Sequence, residues 1–213
     1  MSTPQELRNR KLGAKVVKAL QNRRFEAWYV DDPGEAADKV LSLIPKSDTV
    51  SWGGSMSVAG LGIQERLAGE GYRTLDRDTA KSPEERMEFM RRALLCDTYL
   101  TGSNAISEDG QLVNIDGNGN RTAAMMFGPR QVIVVAGMNK VVKTLEDAYA
   151  RARTIAAPLN QQRFPGQKTP CNETGSCANC LVPDSICTFI VHTRLCKPAG
   201  RIKIILVGKD LGL

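Results

Sequence analysis

Gln131–Gly137 reads QVIVVAG, and every side chain from Val132 to Ala136 is apolar. A strand with one wet face alternates apolar and polar residues. A strand that is apolar at successive positions is buried on both faces, as in a parallel sheet covered by helices on both sides. The rest of the chain fits this reading. RIKIILVG (Arg201–Gly208), FEAWYV (Phe25–Val30) and TVSWGG (Thr49–Gly54) read as further strands, and YRTLDR and CDTYLTG (Cys96–Gly102) as shorter ones.

Helical patterns lie between the strands. Thr3-Pro4-Gln5-Glu6 is a capping box with proline at the first helical position, and it opens a helix to about Arg24. EAADKVLSLI is helical, and a helix is expected from about Ser55 to Ala68. SPEERMEFMRRALL is a helix capped by Ser82, and TLEDAYARARTIA one capped by Thr144. NAISEDGQLVNIDG reads as a hairpin turning at Glu108-Asp109-Gly110, followed by a short glycine-led helix in NGNRTAAMMF. Alternating β and α units predict a Rossmann-like α/β fold with a mostly parallel sheet and helices on both faces. The 213 residues are expected to form a single domain, 1–213, with a cysteine-rich segment at 169–196 and one hinge at Pro158–Lys168.

The bulk numbers exclude some functions. A formal charge of +6 is spread over scattered groups, and only 5% of residues are aromatic, so no nucleic-acid arm or base-stacking platform is present. The longest apolar runs are too short for a membrane span. MSTPQELRNRKLGAKVVKAL has neither an uninterrupted apolar core nor a small-residue cleavage site, so it does not read as a signal peptide and a cytoplasmic protein is expected. The only histidine, His192, lies on the strand-like FIVHT with no serine or cysteine elbow beside it, which argues against nucleophile–histidine hydrolysis.

Thr169–Cys187 reads TPCNETGSCANCLVPDSIC and holds four of the six cysteines, Cys171, Cys177, Cys180 and Cys187. In a reducing compartment clustered cysteines bind metal or do redox work more often than they form disulfides. Zinc usually takes two close pairs, and only Cys177 and Cys180 form one, with His192 as an additional donor. A [4Fe–4S] cluster accepts a Cys-x-x-Cys core with outlying ligands on either side, which all four positions match. Cys196 is then spare, and Cys96, at the start of a strand, reads as a buried structural thiol. Gly175 is expected to let the backbone pass close to the cluster sulfides.

Three glycine-rich stretches follow or adjoin strand ends. SWGGSMSVAGLG offers Gly53, Gly54, Ser55 and Ser57; TGSNAI offers Gly102, Ser103 and Asn104; DGNGNR offers Asn118, Asn120 and Arg121. None is a dinucleotide fingerprint or a Walker loop. At the carboxyl ends of parallel strands they are expected to line one pocket for a small anion, a phosphate or a carboxylate, using helix N-termini and Arg121. Each stretch also reads as an ordinary tight turn. Glu108, Asp109 and Asp116 are the acid–base candidates.

The cysteine segment, TGSNAISEDGQLVNIDGNGNR, VVAGMNKVV and GRIKIILVGKDLGL together resemble the LUD family, the lactate-utilisation-domain proteins, in the branch with a cysteine motif near the C-terminus. The resemblance runs from about Leu7 to Leu213. It implies a fold similar to the ribose-phosphate isomerase and CoA-transferase class, and work beside other iron–sulfur proteins that oxidise lactate to pyruvate. By analogy with CoA transferases, whose nucleophilic glutamate sits near a glycine turn, Glu108 is a nucleophile candidate. Where the branch usually has arginine before the Ile-Cys pair and asparagine after it, this chain has Ser185 and Thr188. With no dinucleotide fingerprint and one histidine, a hydride step is expected on a partner, leaving this chain to relay electrons or assist. Two alternatives stay open: an enzyme on a sugar-phosphate or acyl-CoA-like substrate with structural zinc, and a non-catalytic metal-ordered scaffold.

Overall fold

The computed structural model describes residues 2–213. In chain order the elements are α1 (Pro4–Asn22), β1 (Glu26–Val30), α2 (Pro33–Ser42), β2 (Thr49–Trp52), α3 (Met56–Ala59), α4 (Ile63–Gly69), β3 (Arg73–Leu75), α5 (Pro83–Arg92), β4 (Thr98–Gly102), β5 (Ala105–Ser107), β6 (Leu112–Asp116), α6 (Asn120–Met126), β7 (Gln131–Gly137), β8 (Val141–Val142), α7 (Leu145–Arg151), α8 (Ala157–Gln161), α9 (Pro170–Thr174), β9 (Phe189–Thr193) and β10 (Ile202–Val207).

The main sheet has six strands, all parallel, in the order β1-β10-β7-β4-β2-β3. QVIVVAG is inside it, between β10 and β4. Its side chains divide by parity, as a pleated strand requires. Val132, Val134 and Ala136 join Ile202, Ile204 and Leu206 in one core, under α1, where Val16 and Leu20 are buried. Ile133 and Val135 join Ile205 and Val207 in the other, with Val40 of α2 and Ile63 and Leu67 of α4. Both faces are therefore dry, and each fully buried side chain of this size contributes about 1.5–3 kcal/mol.

The strand order reverses beside β2. The chain leaves β2 through α3 and α4, on the second core's face, and reaches the edge strand β3. It returns by α5, where Phe89 packs against the first core, to β4 on the other side of β2. Connections leaving in opposite directions open a crevice at the carboxyl ends of β2 and β4, where open α/β sheets bind ligands.

The hairpin forms as read, β5 against β6, with Gly110 at φ +86°. It belongs to a second, mixed sheet of four strands, β8-β5-β6-β9, which local patterning does not reveal because β8 and β9 arrive from distant parts of the chain. Ala148 of α7 and the buried Ala152 and Ala157 cover its inner face, and Cys187 packs at the margin of this third core.

Two local expectations differ from the structure. The helix predicted over Ser55–Ala68 is two short helices, because Gly62 takes φ +62° after α3 has lasted one turn. The expected hinge at Pro158–Lys168 starts as helix: α7 continues through a π-helical turn (Ala152–Ala156) into α8, which ends at Gln161. Among the described residues no helix is long and apolar enough to cross a membrane.

Candidate functional site

A cleft of about 560 Å³ opens at the strand reversal. The loop after β2 gives it Gly54 and Ser55, the loop after β4 gives Gly102, Ser103 and Asn104, and the turn after β6 gives Asp116, Asn118, Asn120 and Arg121. The three glycine-rich stretches thus meet in one place. Gly53 and Ser57 stand behind the lining. A side chain at Gly53 would press on Arg121 and on the Tyr99 hydroxyl, and Ser57 is fully buried. Gly102 is needed for close approach, since a Cβ there would lie 2.7 Å from Ser55 Oγ and 3.4 Å from Ser57 Oγ.

Arg121 locks these loops together. One terminal nitrogen donates to Asn114 Oδ1 (2.7 Å) and the Gly102 carbonyl (3.3 Å), the other to Asn104 Oδ1 (3.0 Å) and the Ile115 carbonyl (2.6 Å). All four acceptors are neutral, so the charge remains uncompensated while both terminal nitrogens are spent. A planar fork suits this task. The helix N-termini expected to carry the anion are weak here, because α3 has four residues and α6 seven. Short helices sum few peptide dipoles.

Sequence reasoning did not find the cations that replace them. Arg77, Arg86, Lys140 and Arg163 all line the cleft. Arg86 is neutralised by Asp78 at 2.7 Å. Arg163 donates to the Gly54 carbonyl (3.2 Å) and to Asn160 Oδ1 (3.0 Å), bridging the cleft from the α8 side. Arg77 is the least satisfied. Its side chain is 17% exposed, its one ion contact is to Asp78 at 3.9 Å, and its buried Nε has no hydrogen-bond partner. Its position just beyond β3 was a usable signal, because strand carboxyl ends supply such sites. Nothing in the local sequence marked Arg163.

The acid–base candidates separate. Asp116 is in the cleft, with Oδ2 accepting from the Thr122 amide at 2.9 Å. Glu108 and Asp109 are not among the cleft residues. Glu108 is held by Lys15 (2.5 Å) and Lys143 (3.0 Å), hydrogen bonds that keep its carboxyl below the usual range. Asp109 pairs with Arg23 at 2.6 Å. His192 bonds through Nε2 to Gln111 Oε1 at 2.7 Å and meets the Tyr149 ring edge-on, a packed strand residue.

The cysteine segment forms the opposite wall. Pro183, Asp184, Ser185, Ile186 and Thr188, flanking and preceding Cys187, line the same cleft. The placement follows from pairing: β9 starts two residues after Cys187 and joins β6 with Phe189 opposite Asp116. The segment is also tied to the end of α8, where the capping residue Gln162 donates from Nε2 to the Cys171 carbonyl at 2.8 Å. Gly175 ends α9 at φ +73°, and a Cβ there would meet nothing within 4 Å. Its left-handed backbone is what glycine supplies at this turn. Asn179, between Cys177 and Cys180, is also left-handed at φ +52°. Where the related branch has arginine, the Ser185 hydroxyl accepts the Cys187 amide at 3.2 Å.

All six cysteines are free; Cys96 and Cys196 are buried and the other four are half-buried. Burial pushes the Cys96 thiol up to about 12, which makes it inert. Burial, then the nearby Cys177, Cys171 and Cys180, push Cys187 up to about 11. The four thiols therefore share one neighbourhood. They do so loosely, because among the described residues no group of three or more His, Cys, Asp or Glu stands ready to hold a metal ion. As a donor set, four unpaired thiols on one segment suit an iron–sulfur cluster, which spreads its ligands over several irons. A single zinc would draw all four to about 2.3 Å from one point.

The sequence model of the LUD domain matches residues 13–207. A DUF162 family protein from Deinococcus radiodurans, solved as a crystal structure, is similar at 13% identity and a TM-score of 0.54, covering 93% of this chain and 98% of that one. Ribose 5-phosphate isomerase A from Neisseria gonorrhoeae aligns over 53% of this chain and 54% of its own, at 17% identity and a TM-score of 0.36. The isomerase from Methanocaldococcus jannaschii gives 18%, 53%, 55% and 0.35 for identity, the two coverages and TM-score. No curated protein matches the chain.

Proposed function

The chain belongs to the LUD-domain family, and on that premise we propose that it binds a small organic anion of the lactate type in the cleft, beside a [4Fe–4S] cluster held by Cys171, Cys177, Cys180 and Cys187. Family membership supports a role related to lactate utilisation. The observation that carries the finer reading is the shared wall: residues between Cys180 and Cys187 line the cleft that the glycine-rich loops and arginines build.

When bound, such a cluster supplies one-electron storage. The chain's own residues do the rest. Arg77 and Arg163 offer guanidinium donors to a carboxylate, a match that needs no proton. Ser55, Asn104 and Asn118 offer neutral hydrogen bonds for orientation, and Gly102 keeps the floor open. Of the acid–base candidates Glu108, Asp109 and Asp116, only Asp116 lines the cleft, together with the carboxylates of Asp78 and Asp184. Lactate oxidation removes two electrons and two protons. With no dinucleotide site in its sequence, the chain is assigned an accessory part beside other iron–sulfur proteins.

Protein purified without oxygen is expected to be brown, with iron and acid-labile sulfide in equal amounts. A colourless preparation with stoichiometric zinc and no sulfide would contradict this and favour the structural-zinc reading.

A further inference from the structure

Lys140 follows β7 in the motif GMNKVV and reaches the cleft, yet it is only 4% exposed. Its Nζ donates to Ser57 Oγ at 2.8 Å, and that hydroxyl is itself directed to the Leu211 carbonyl at 3.2 Å. Among the described residues Lys140 makes no ion pair. The charges that act on it most are the cations Arg151 and Arg121. An ammonium held this way loses its water and faces like charge, both of which favour the neutral amine. Burial first, then Arg151 and Arg121, bring it down to about 7.

We infer that Lys140 is the carbonyl-reactive amine of the cleft, condensing with the oxo group of a small 2-oxo acid whose carboxylate rests on Arg77 and Arg163. This rests on the reading of the cleft as an organic-anion site. A lysine kept only to attract an anion would be redundant here, since two guanidiniums supply permanent charge. A desolvated lysine beside other cations is the arrangement that makes an amine nucleophilic. In the step, the Nζ lone pair attacks the carbonyl carbon and the C=O π pair moves to oxygen. The two amine hydrogens leave with that oxygen as water, and a C=N bond replaces C=O. No oxidant or reductant is required.

The test uses the full chain, pyruvate and sodium borohydride, followed by peptide mapping. Lys140 is expected to gain the mass of pyruvate less one oxygen atom, at a level about tenfold or more above exposed lysines such as Lys11 and Lys18, which do not line the cleft. Lys140→Arg should return labelling to the background. If that variant does not fold, the wild-type map decides alone. Labelling spread over surface lysines with none at Lys140 overturns the inference. Calorimetry separates the two claims: pyruvate that binds without an adduct at Lys140 overturns the inference and leaves the anion site standing, whereas pyruvate that does not bind overturns both.

Discussion

Cys180→Ala is expected to abolish the cluster, giving anaerobic protein with almost no iron or sulfide, while Cys196→Ala retains the full amount. The contrast comes from where the two thiols stand. Cys180 is on the half-buried segment and is one of three thiols that act on Cys187. Cys196 is 1% exposed, accepts the Ile202 amide at 3.3 Å and donates to the Pro198 carbonyl at 3.1 Å, inside the first core. Replacing it leaves a small cavity and an amide without its acceptor, a cost of about 1–2 kcal/mol in unfolding experiments. Its metal content should not change. Iron lost on Cys196→Ala and kept on Cys171→Ala would show that the fourth ligand is misassigned.

Arg77→Gln is expected to weaken lactate binding by tenfold or more in calorimetry. Lactate has no carbonyl to condense, so it reports the anion site alone. Arg77 is nearly unpartnered, and an acceptor reaching it gains a charge-assisted bond without breaking one, worth about 1.5–3 kcal/mol. Arg121→Gln is the poorer probe because its donors already hold four carbonyl and amide oxygens, so its loss would collapse the loops instead. Binding should also fall with added salt, modestly, because the cleft is partly shielded. Equal lactate affinity in wild type and Arg77→Gln would place the anion elsewhere.

The parallel sheet was legible because β7 carries apolar residues at successive positions and because strand and helix patterns alternate along the chain. The capping residues Thr3, Ser82 and Thr144 were legible because each satisfies amides within its own turn. The glycine loops could be picked out because the chain has to turn at strand ends, and their meeting in one cleft follows from the sheet. Other features have no local signature. Sheet β8-β5-β6-β9 joins segments as distant as Asn114 and Val191, so its register was beyond reach. Lys140 reads as an ordinary strand-end lysine until the fold buries it against Arg151. Arg163 becomes a cleft residue only because α8 folds back over Gly54. Glu108 was chosen on its turn alone, and the turn points it toward Lys15 and Lys143.

We propose that the cysteine loop and the anion cleft are one site. Pro183–Ile186 and Thr188 both frame Cys187 and line the cleft, so an anion there must alter the charge and hydrogen bonding around the thiolates, to which such clusters respond. The direct measurement is the electron paramagnetic resonance spectrum of dithionite-reduced protein with and without saturating lactate. A shifted spectrum is expected with lactate, and no shift at the same concentration in Arg77→Gln. Superimposable spectra, at a lactate concentration where calorimetry shows the cleft filled, would contradict it.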